Sequence, residues 1–288
     1  MEEFLKVALI QTTLDSELAW NLTGSRKGAY KMDQAEAKRV WNEICAACSE
    51  LIHLEESRKP HIIVLPELCV ADIHQSLLSG LADGLGAIII SGLDYYMNSD
   101  NKIENNAGVY IPKNWPLGRG RSPRKCFYFG KRFFARRELE AIKNAGMVHQ
   151  SCDKFYLLNA GDYGKIGVSI CADFYDIERF AVYKHKIHHL FILAYNQDVK
   201  SFYFLAEAIS RLVYCNVVIC NTGHYGGSVC FSPYRHDYDR YVYKHEGKEL
   251  FTTQVVKLPV QALDDAQNEN DTKRLFKNPP PGYDDCVK

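Results

Sequence analysis

Apolar residues along this chain come in short runs separated by polar and helical stretches. KVALIQT (6–12), HIIVLPEL (61–68) and GAIIISGL (86–93) are brief β-branched runs and read as buried strands. NAGVYIP (106–112) and RKCFYFG (124–130) read as further strands with a Gly/Arg/Pro loop between them. KFYLL (154–158) and KIGVSIC (165–171) form a hairpin pattern around Gly161 and Gly164. HHLFILAYN (188–196), NVVICNTG (216–223), VCFSP (229–233), RYVYKH (240–245) and ELFTTQVVKL (249–258) continue the series. Helical periodicity fills 33–57, 72–83, 135–144, the stretch after Cys171 and about 200–214. Strands and helices alternate twice over. That predicts an α/β sandwich of two sheets with helices on their outer faces.

The pattern offers no linker, no solenoid-length repeat and no low-complexity tract, so residues 1–263 read as one domain. From residue 264 the chain turns polar and Pro-rich, which predicts an extended or mobile tail over 264–288. Lys plus Arg equals Asp plus Glu, 35 against 35, so net charge points to neither a nucleic-acid nor a membrane partner. The start, MEEFLKVALIQ, is acidic and leads directly into a strand, unlike a secretory leader, and no apolar run reaches transmembrane length. A cytoplasmic location is expected, and the N-L-T acceptor at Asn21 then has no role. The ten cysteines form neither a disulfide framework nor a zinc pattern; Cys45 and Cys48 read as small residues within a helix.

Three reactive residues close predicted strands: Glu67, Lys131 and Cys171. Strand ends are where a parallel sheet presents side chains to a ligand. Taken together these residue types make a chemistry. A thiol is a nucleophile as thiolate, a carboxylate can take its proton and return it to a departing amine, and an ammonium with a backbone N–H can hold an anionic intermediate. The N–H of Ala172 is the adjacent donor.

VALIQ, VLPEL, a Lys, IGVSICADF and NTG-x-x-GGS, in that order, resemble the nitrilase superfamily of carbon–nitrogen hydrolases over residues 6–260. The resemblance implies a four-layer αββα sandwich, a Glu67–Lys131–Cys171 triad, no cofactor, no metal, and a homodimer or larger homo-oligomer. It implies cleavage of a small amide, carbamoyl or nitrile substrate through a cysteine acyl-enzyme. A catalytically weak interaction module and an acyltransferase on the same fold remain as alternatives. The segment KCFYFGKRFFARRELEAI fits on Lys125 or on Lys131. Lys131 is preferred because Glu138 follows it by seven residues, the family's usual spacing for a second glutamate; Glu140 is the other candidate. Two departures stand out. Ala172 occupies a position that is often aromatic, and SRLVYC lacks the glutamate common before the next strand.

Asn196, Asn221 and Gly223 close two more strands and are pocket candidates, with turn formation as the plainer reading. The arginines of 119–137, including Arg119, Arg121, Arg136 and Arg137, read as a solvated face. An anionic substrate and a nucleic acid are the other readings, the latter disfavoured because the interleaved aromatics are expected in the core. His185, His188 and His189 are too close along an extended run to converge on a metal, and no carboxylate partner is evident. Gly226, Gly227 and Ser228 lack phosphate-loop spacing. Cys171 is expected to be the thiol that alkylates first.

Overall fold

Successive side chains of a strand point to opposite faces, and strand β1 (Phe4–Gln11) shows what each face meets. Leu5, Val7 and Leu9 enter one buried cluster together with Ile166, Val168 and Ile170. Ala8 and Ile10 enter another with Val40, Ile44 and Ala47. One face of β1 therefore packs on a second sheet and the other on helices. In a computed structural model, which describes residues 1–20, 31–116, 122–270, 272 and 274–283, this is a helix–sheet–sheet–helix sandwich. Asn21, Arg119 and Arg121 lie outside the described residues.

The remaining strands of the first half are β2 (Ile62–Val64), β3 (Ile88–Gly92), β4 (Tyr96–Met97), β5 (Lys102–Glu104), β6 (Asn106–Ile111), β7 (Lys125–Gly130) and β8 (Val148–His149). Those of the second half are β9 (Leu157–Asn159), β10 (Lys165–Ile170), β11 (His189–Ala194), β12 (Asn216–Asn221), β13 (Ser228–Phe231), β14 (Tyr241–His245) and β15 (Thr252–Pro259). One sheet runs β15-β1-β2-β3-β6-β7 and the other β14-β13-β12-β11-β10-β9. Each has three parallel strands at its centre, β1-β2-β3 and β10-β11-β12, with antiparallel strands outside them. A small third sheet, β4-β5-β8, was not legible in the periodicity because its strands have two or three residues each.

The helices are α1 (Ser16–Ala19), α2 (Gln34–Ile52), α3 (Asp72–Leu85), α4 (Arg136–Asn144), α5 (Ile177–Tyr183), α6 (Val199–Ile209), α7 (Asp237–Arg240) and α8 (Gln261–Gln267). Helices α2 and α3 cover the first sheet, and α5 and α6 bury Phe180, Tyr183, Phe202 and Ala206 against the second. Asp33 caps α2 by accepting the N–H groups of Ala35 and Glu36.

Two expectations need correction. The boundary at 264 falls inside α8, and the chain beyond it returns to the fold. Phe276 stacks on Tyr234 at 4.9 Å between ring centroids, and Tyr283 packs edge-on against Tyr214 at 5.5 Å. The Pro-rich composition conceals two aromatic anchors, both 1% exposed. The aromatics of β7 are not all core either. Phe129 is buried, but Phe127 and Tyr128 are about half exposed, because β7 is the outermost strand of its sheet.

Candidate active site

Cys171 follows β10, and its backbone turns sharply into a 3-10 segment, Cys171–Tyr175. Its φ is +43°, a left-handed value that a non-glycine residue adopts only when its surroundings hold it there. Glu67 lies three residues past the end of β2, beside Leu68, also left-handed at φ +60°. Gly92, the last residue of β3, presses against this turn. A β-carbon there would stand 2.3 Å from the Pro66 carbonyl oxygen and 2.4 Å from the Glu67 Cα. Only glycine lets the two strand ends approach so closely.

Lys131 leaves β7 and is buried. Its Nζ donates to Glu67 Oε1 at 2.7 Å and to Glu138 Oε2 at 2.7 Å. Lys125, at the exposed start of β7, is not part of this cluster, and Glu140 instead pairs with Arg136 at 2.9 Å on the surface. Glu67 lies beside the Cys171 thiol, and its Oε2 accepts the Tyr195 N–H at 3.1 Å. The strand ends thus bring Glu67, Lys131, Glu138 and Cys171 together, with Ala172 in the first turn of the 3-10 segment. Amide hydrogens of a first turn have no partner within their own helix.

Asn105 and Tyr95 escaped the sequence reading, and Asp173 entered it only as part of the IGVSICADF motif. Asn105, in the link between β5 and β6, donates from Nδ2 to Glu67 Oε1 at 2.9 Å and to Glu138 Oε1 at 2.9 Å. Its amide can face two carboxylates only nitrogen-first. Tyr95 donates from its hydroxyl to Glu138 Oε1 at 2.9 Å. Asp173 accepts the backbone N–H groups of Arg132 and Phe133 and the Arg179 guanidinium, tying the Lys131 loop to the Cys171 turn.

Burial sets the electrostatics. It pushes the Cys171 thiol well above its ordinary range; Glu67 adds to this, while Lys131 and the Tyr195 N–H oppose it. Burial likewise raises the Glu67 carboxyl against the pull of Lys131. For Lys131 burial alone would favour the neutral amine, but Glu138, Glu67 and Cys171 outweigh it and hold the ammonium well above the usual lysine range. The resting state is a neutral thiol beside a carboxyl group that readily takes a proton.

Above Cys171 opens a cavity of about 880 Å³, within the usual span of small-molecule sites. Glu67, Lys131, Glu138, Cys171 and Ala172 line it, as do Tyr175, Tyr195 and Asn196. Asn221 and Gly223 do not. Asn221 is buried beneath, accepting the Asn196 N–H at 2.9 Å and donating to the Asn196 carbonyl at 2.8 Å, so it shapes the segment that does line the cavity. Gly223 lies against the Leu250 carbonyl, where a β-carbon would come within 2.4 Å.

No sequence model of a protein family matches the chain, and no curated protein does. Solved structures match over nearly its whole length. Nit3 of Saccharomyces cerevisiae, a member of branch 10 of the nitrilase superfamily, superposes with a TM-score of 0.65 at 16% identity, covering 93% of this chain and 95% of that one. An amidase from Nesterenkonia sp. superposes at 0.62 with 14% identity, covering 96% and 98%. XC1258 of Xanthomonas campestris, a CN-hydrolase superfamily protein with an arsenic adduct in its active site, gives 0.60 at 14%, covering 93% and 95%. The chain has the nitrilase fold.

A mutant of the Nesterenkonia amidase carries the acetamide moiety of fluoroacetamide covalently added at its active-site cysteine. Within the nitrilase fold of the present chain, two side chains differ in their surroundings from the sequence expectation. Cys126, on the open edge of β7, is exposed, whereas Cys171 is only 8% exposed, so Cys171 is not the most accessible thiol. His188 does have a carboxylate partner, Asp264 Oδ1 at 3.0 Å, which the tail boundary had hidden. No described helix is long and apolar enough to cross a membrane.

Proposed function

We propose that this protein is a carbon–nitrogen hydrolase that cleaves a non-peptide amide, carbamoyl or nitrile substrate through an acyl-enzyme on Cys171. One observation carries the reading: a single carboxylate, Glu67, holds the Lys131 ammonium at 2.7 Å and lies beside the Cys171 thiol at the floor of an open cavity.

The chemistry follows from that contact. The thiol proton passes to Glu67 as sulfur attacks the substrate carbon, so no free thiolate has to persist in a buried site. The charge developing on the carbonyl oxygen, or on the nitrile nitrogen, is held by Lys131 and the Ala172 N–H. For an amide, Glu67 gives its proton to the departing nitrogen as the carbon–nitrogen bond breaks, leaving a thioester. Water then loses a proton to Glu67, attacks the acyl carbon and expels the thiol, which recovers that proton. Glu138, with Asn105 and Tyr95, fixes Lys131.

Exposure to a panel of small amides and nitriles, followed by intact-protein mass measurement, tests this. A mass increase matching the acyl group, mapped to Cys171 and lost in Cys171→Ala, is expected together with the free acid in solution. Turnover that persists in Cys171→Ala rejects the reading.

Self-association is part of the same proposal. Ile177 on α5 and Phe204 on α6 are 82% and 74% exposed, apolar side chains on helices that a second copy could cover. Sedimentation at micromolar concentration giving a monomer would reject it. The nine described cysteines are all free, in keeping with a cytoplasmic, reducing location.

A further inference from the structure

A second concavity lies on the helix side of the first sheet and shares no lining residue with the cavity above Cys171. Its volume is about 190 Å³, below the roughly 300–1,000 Å³ of most small-molecule sites. Strands β1 and β15 supply one wall, and the end of α2 with the 3-10 turn Glu56–Arg58 supplies the other. The alternation along β1 sends Lys6 to the same face as Ala8 and Ile10, toward the helices. Lys257 stands directly opposite Lys6 in the antiparallel pair. Side chains so placed start about 4.5–5.5 Å apart, and like charges there repel. Arg58 adds a third cation to the lining, and Glu50 is the one carboxylate among the described lining residues.

The fold does not balance this charge. Among the described residues no carboxylate forms an ion pair with Lys6, Arg58 or Lys257. Glu56, in the same turn as Arg58, is held by Lys59 at 2.9 Å. Lys6 Nζ donates instead to the carbonyls of Ser57 at 3.2 Å and Glu56 at 3.4 Å. An ammonium has three donors, so these two bonds aim the group and leave one hydrogen to give. Burial and the nearby Lys257 both draw Lys6 below the ordinary lysine range, against Glu56 and Glu2. The hydroxyl oxygen of Thr253, which also lines the concavity, is buried with no hydrogen-bond partner among the described residues. Leu51, Leu54 and Val255 supply apolar surface beside these polar groups. A lysine pair in this register costs stability unless an anion lies between the two ammonium groups.

We propose that this concavity binds a phosphate monoester dianion, held by Lys6, Arg58 and Lys257 with the Thr253 hydroxyl as a further donor. Three cations against one carboxylate leave two positive charges, which a dianion matches in full and a monoanion by half. The volume admits the phosphate with only a small organic part, which meets Leu51, Leu54 and Val255. The site is independent of Cys171 and of the hydrolase reading.

Calorimetry with methyl phosphate and methyl sulfate at pH 7.5 tests the charge match, since the first is mostly a dianion there and the second a monoanion of similar shape. With ionic strength held constant by sodium chloride, the phosphate should bind about tenfold more tightly. Lys257→Gln and Arg58→Gln should each weaken it about tenfold, the loss of one charge-assisted contact. Without ligand, Lys257→Gln should melt no lower than wild type, because it relieves the repulsion on Lys6. Methyl phosphate should raise the melting temperature of wild type and not that of the double variant Arg58→Gln, Lys257→Gln. Sedimentation with phosphatidylcholine vesicles containing phosphatidic acid identifies the source of the monoester. Co-sedimentation lost in Lys257→Gln would place it on a lipid headgroup, and its absence beside calorimetric binding would place it on a soluble molecule. Equal binding of methyl phosphate and methyl sulfate overturns the proposal, as do the absence of any methyl phosphate binding and a response that survives in the double variant. A marked loss of ligand-free stability in Lys257→Gln would make that lysine structural and overturn it as well.

Discussion

Asp173 Oδ1 accepts the backbone N–H of Phe133 at 2.7 Å. One residue lies two positions past Cys171 and the other two past Lys131, so this bond clamps the turn that carries the thiol to the loop that carries the ammonium. Asp173 also holds Arg179 Nη2 at 3.0 Å with both side chains almost wholly buried. Asp173→Asn should therefore act twice. Leaving Arg179 with half its pairing should cost about 3–5 kcal/mol of stability. Separately, turnover of the folded protein should fall by more than about tenfold, because a shift of even 1 Å in reacting groups is costly. Thermal melts followed by rate measurements well below the new midpoint distinguish the two. Full activity in the folded variant would show that the clamp serves stability alone.

Gly92→Ala tests the approach of β3 to the Glu67 turn. The added carbon meets backbone atoms of Pro66 and Glu67, which cannot swing aside as a side chain could. Overpacking of this kind costs about 1–3 kcal/mol, and here its relief moves the proposed base. Activity should drop far more than stability. Gly80→Ala is the control: nothing lies within 4 Å of that position on α3, so it should be neutral or stabilising by about 0.5–1 kcal/mol. An active Gly92→Ala protein would mean that Glu67 tolerates displacement.

The parts of this site that stand out in the sequence do so because residue type and position coincide. Glu67 and Cys171 close buried runs, and the offset from Lys131 to Glu138 separates Lys131 from Lys125. Asn105 carries no such mark. It stands between two strands, where an asparagine ordinarily makes a turn, and its role exists only because β5 and β6 carry it over Glu67 and Glu138 from 38 and 33 residues away in sequence. Asn221 and Gly223 failed in the opposite way. They close a strand beside the site, yet one serves as an internal hydrogen-bond hub and the other as a spacer. Periodicity found the two large sheets and missed the small one, since two-residue strands have no period to read. Composition misjudged the tail, because two buried aromatics outweigh the polar residues around them.

His189 provides a pH-dependent term. It is fully buried with Nδ1 beside Asn216 and Nε2 beside the Tyr163 carbonyl, contacts that suit the neutral ring, and burial lowers its pKa to about 3. The unfolded chain binds this proton near pH 6.5, the folded one only near pH 3. Its stabilising contribution is thus complete above pH 6.5 and is lost progressively as pH falls toward 3, by up to about 5 kcal/mol. Asp94 acts oppositely: burial raises its carboxyl to about 6, so the fold gains stability as pH falls through that value. The comparison must therefore be between wild type and His189→Gln, by denaturant midpoints at pH 7.5, 6 and 5. The wild type should lose its advantage as pH drops. A difference that stays constant across this range would mean that His189 is not held neutral.

The thiols give the last test. Exposure favours Cys126, on the open edge of β7, for brief alkylation by iodoacetamide at pH 7. Cys171 is nearly buried and its thiol is raised by burial and by Glu67, so it should label slowly at neutral pH and faster as pH rises. Lys131 opposes that rise, and Lys131→Met should slow Cys171 further, while Lys125→Met changes nothing. In a Cys126→Ser background, peptide mapping over pH 6.5 to 9.5 isolates the Cys171 profile without requiring any substrate. Rapid, pH-independent labelling of Cys171 would show a thiolate already present at rest and would remove the need for Glu67 as proton acceptor. Acceleration by Lys131→Met would show that discharge of Glu67, which raises the thiol, outweighs the direct pull of the ammonium on the thiolate.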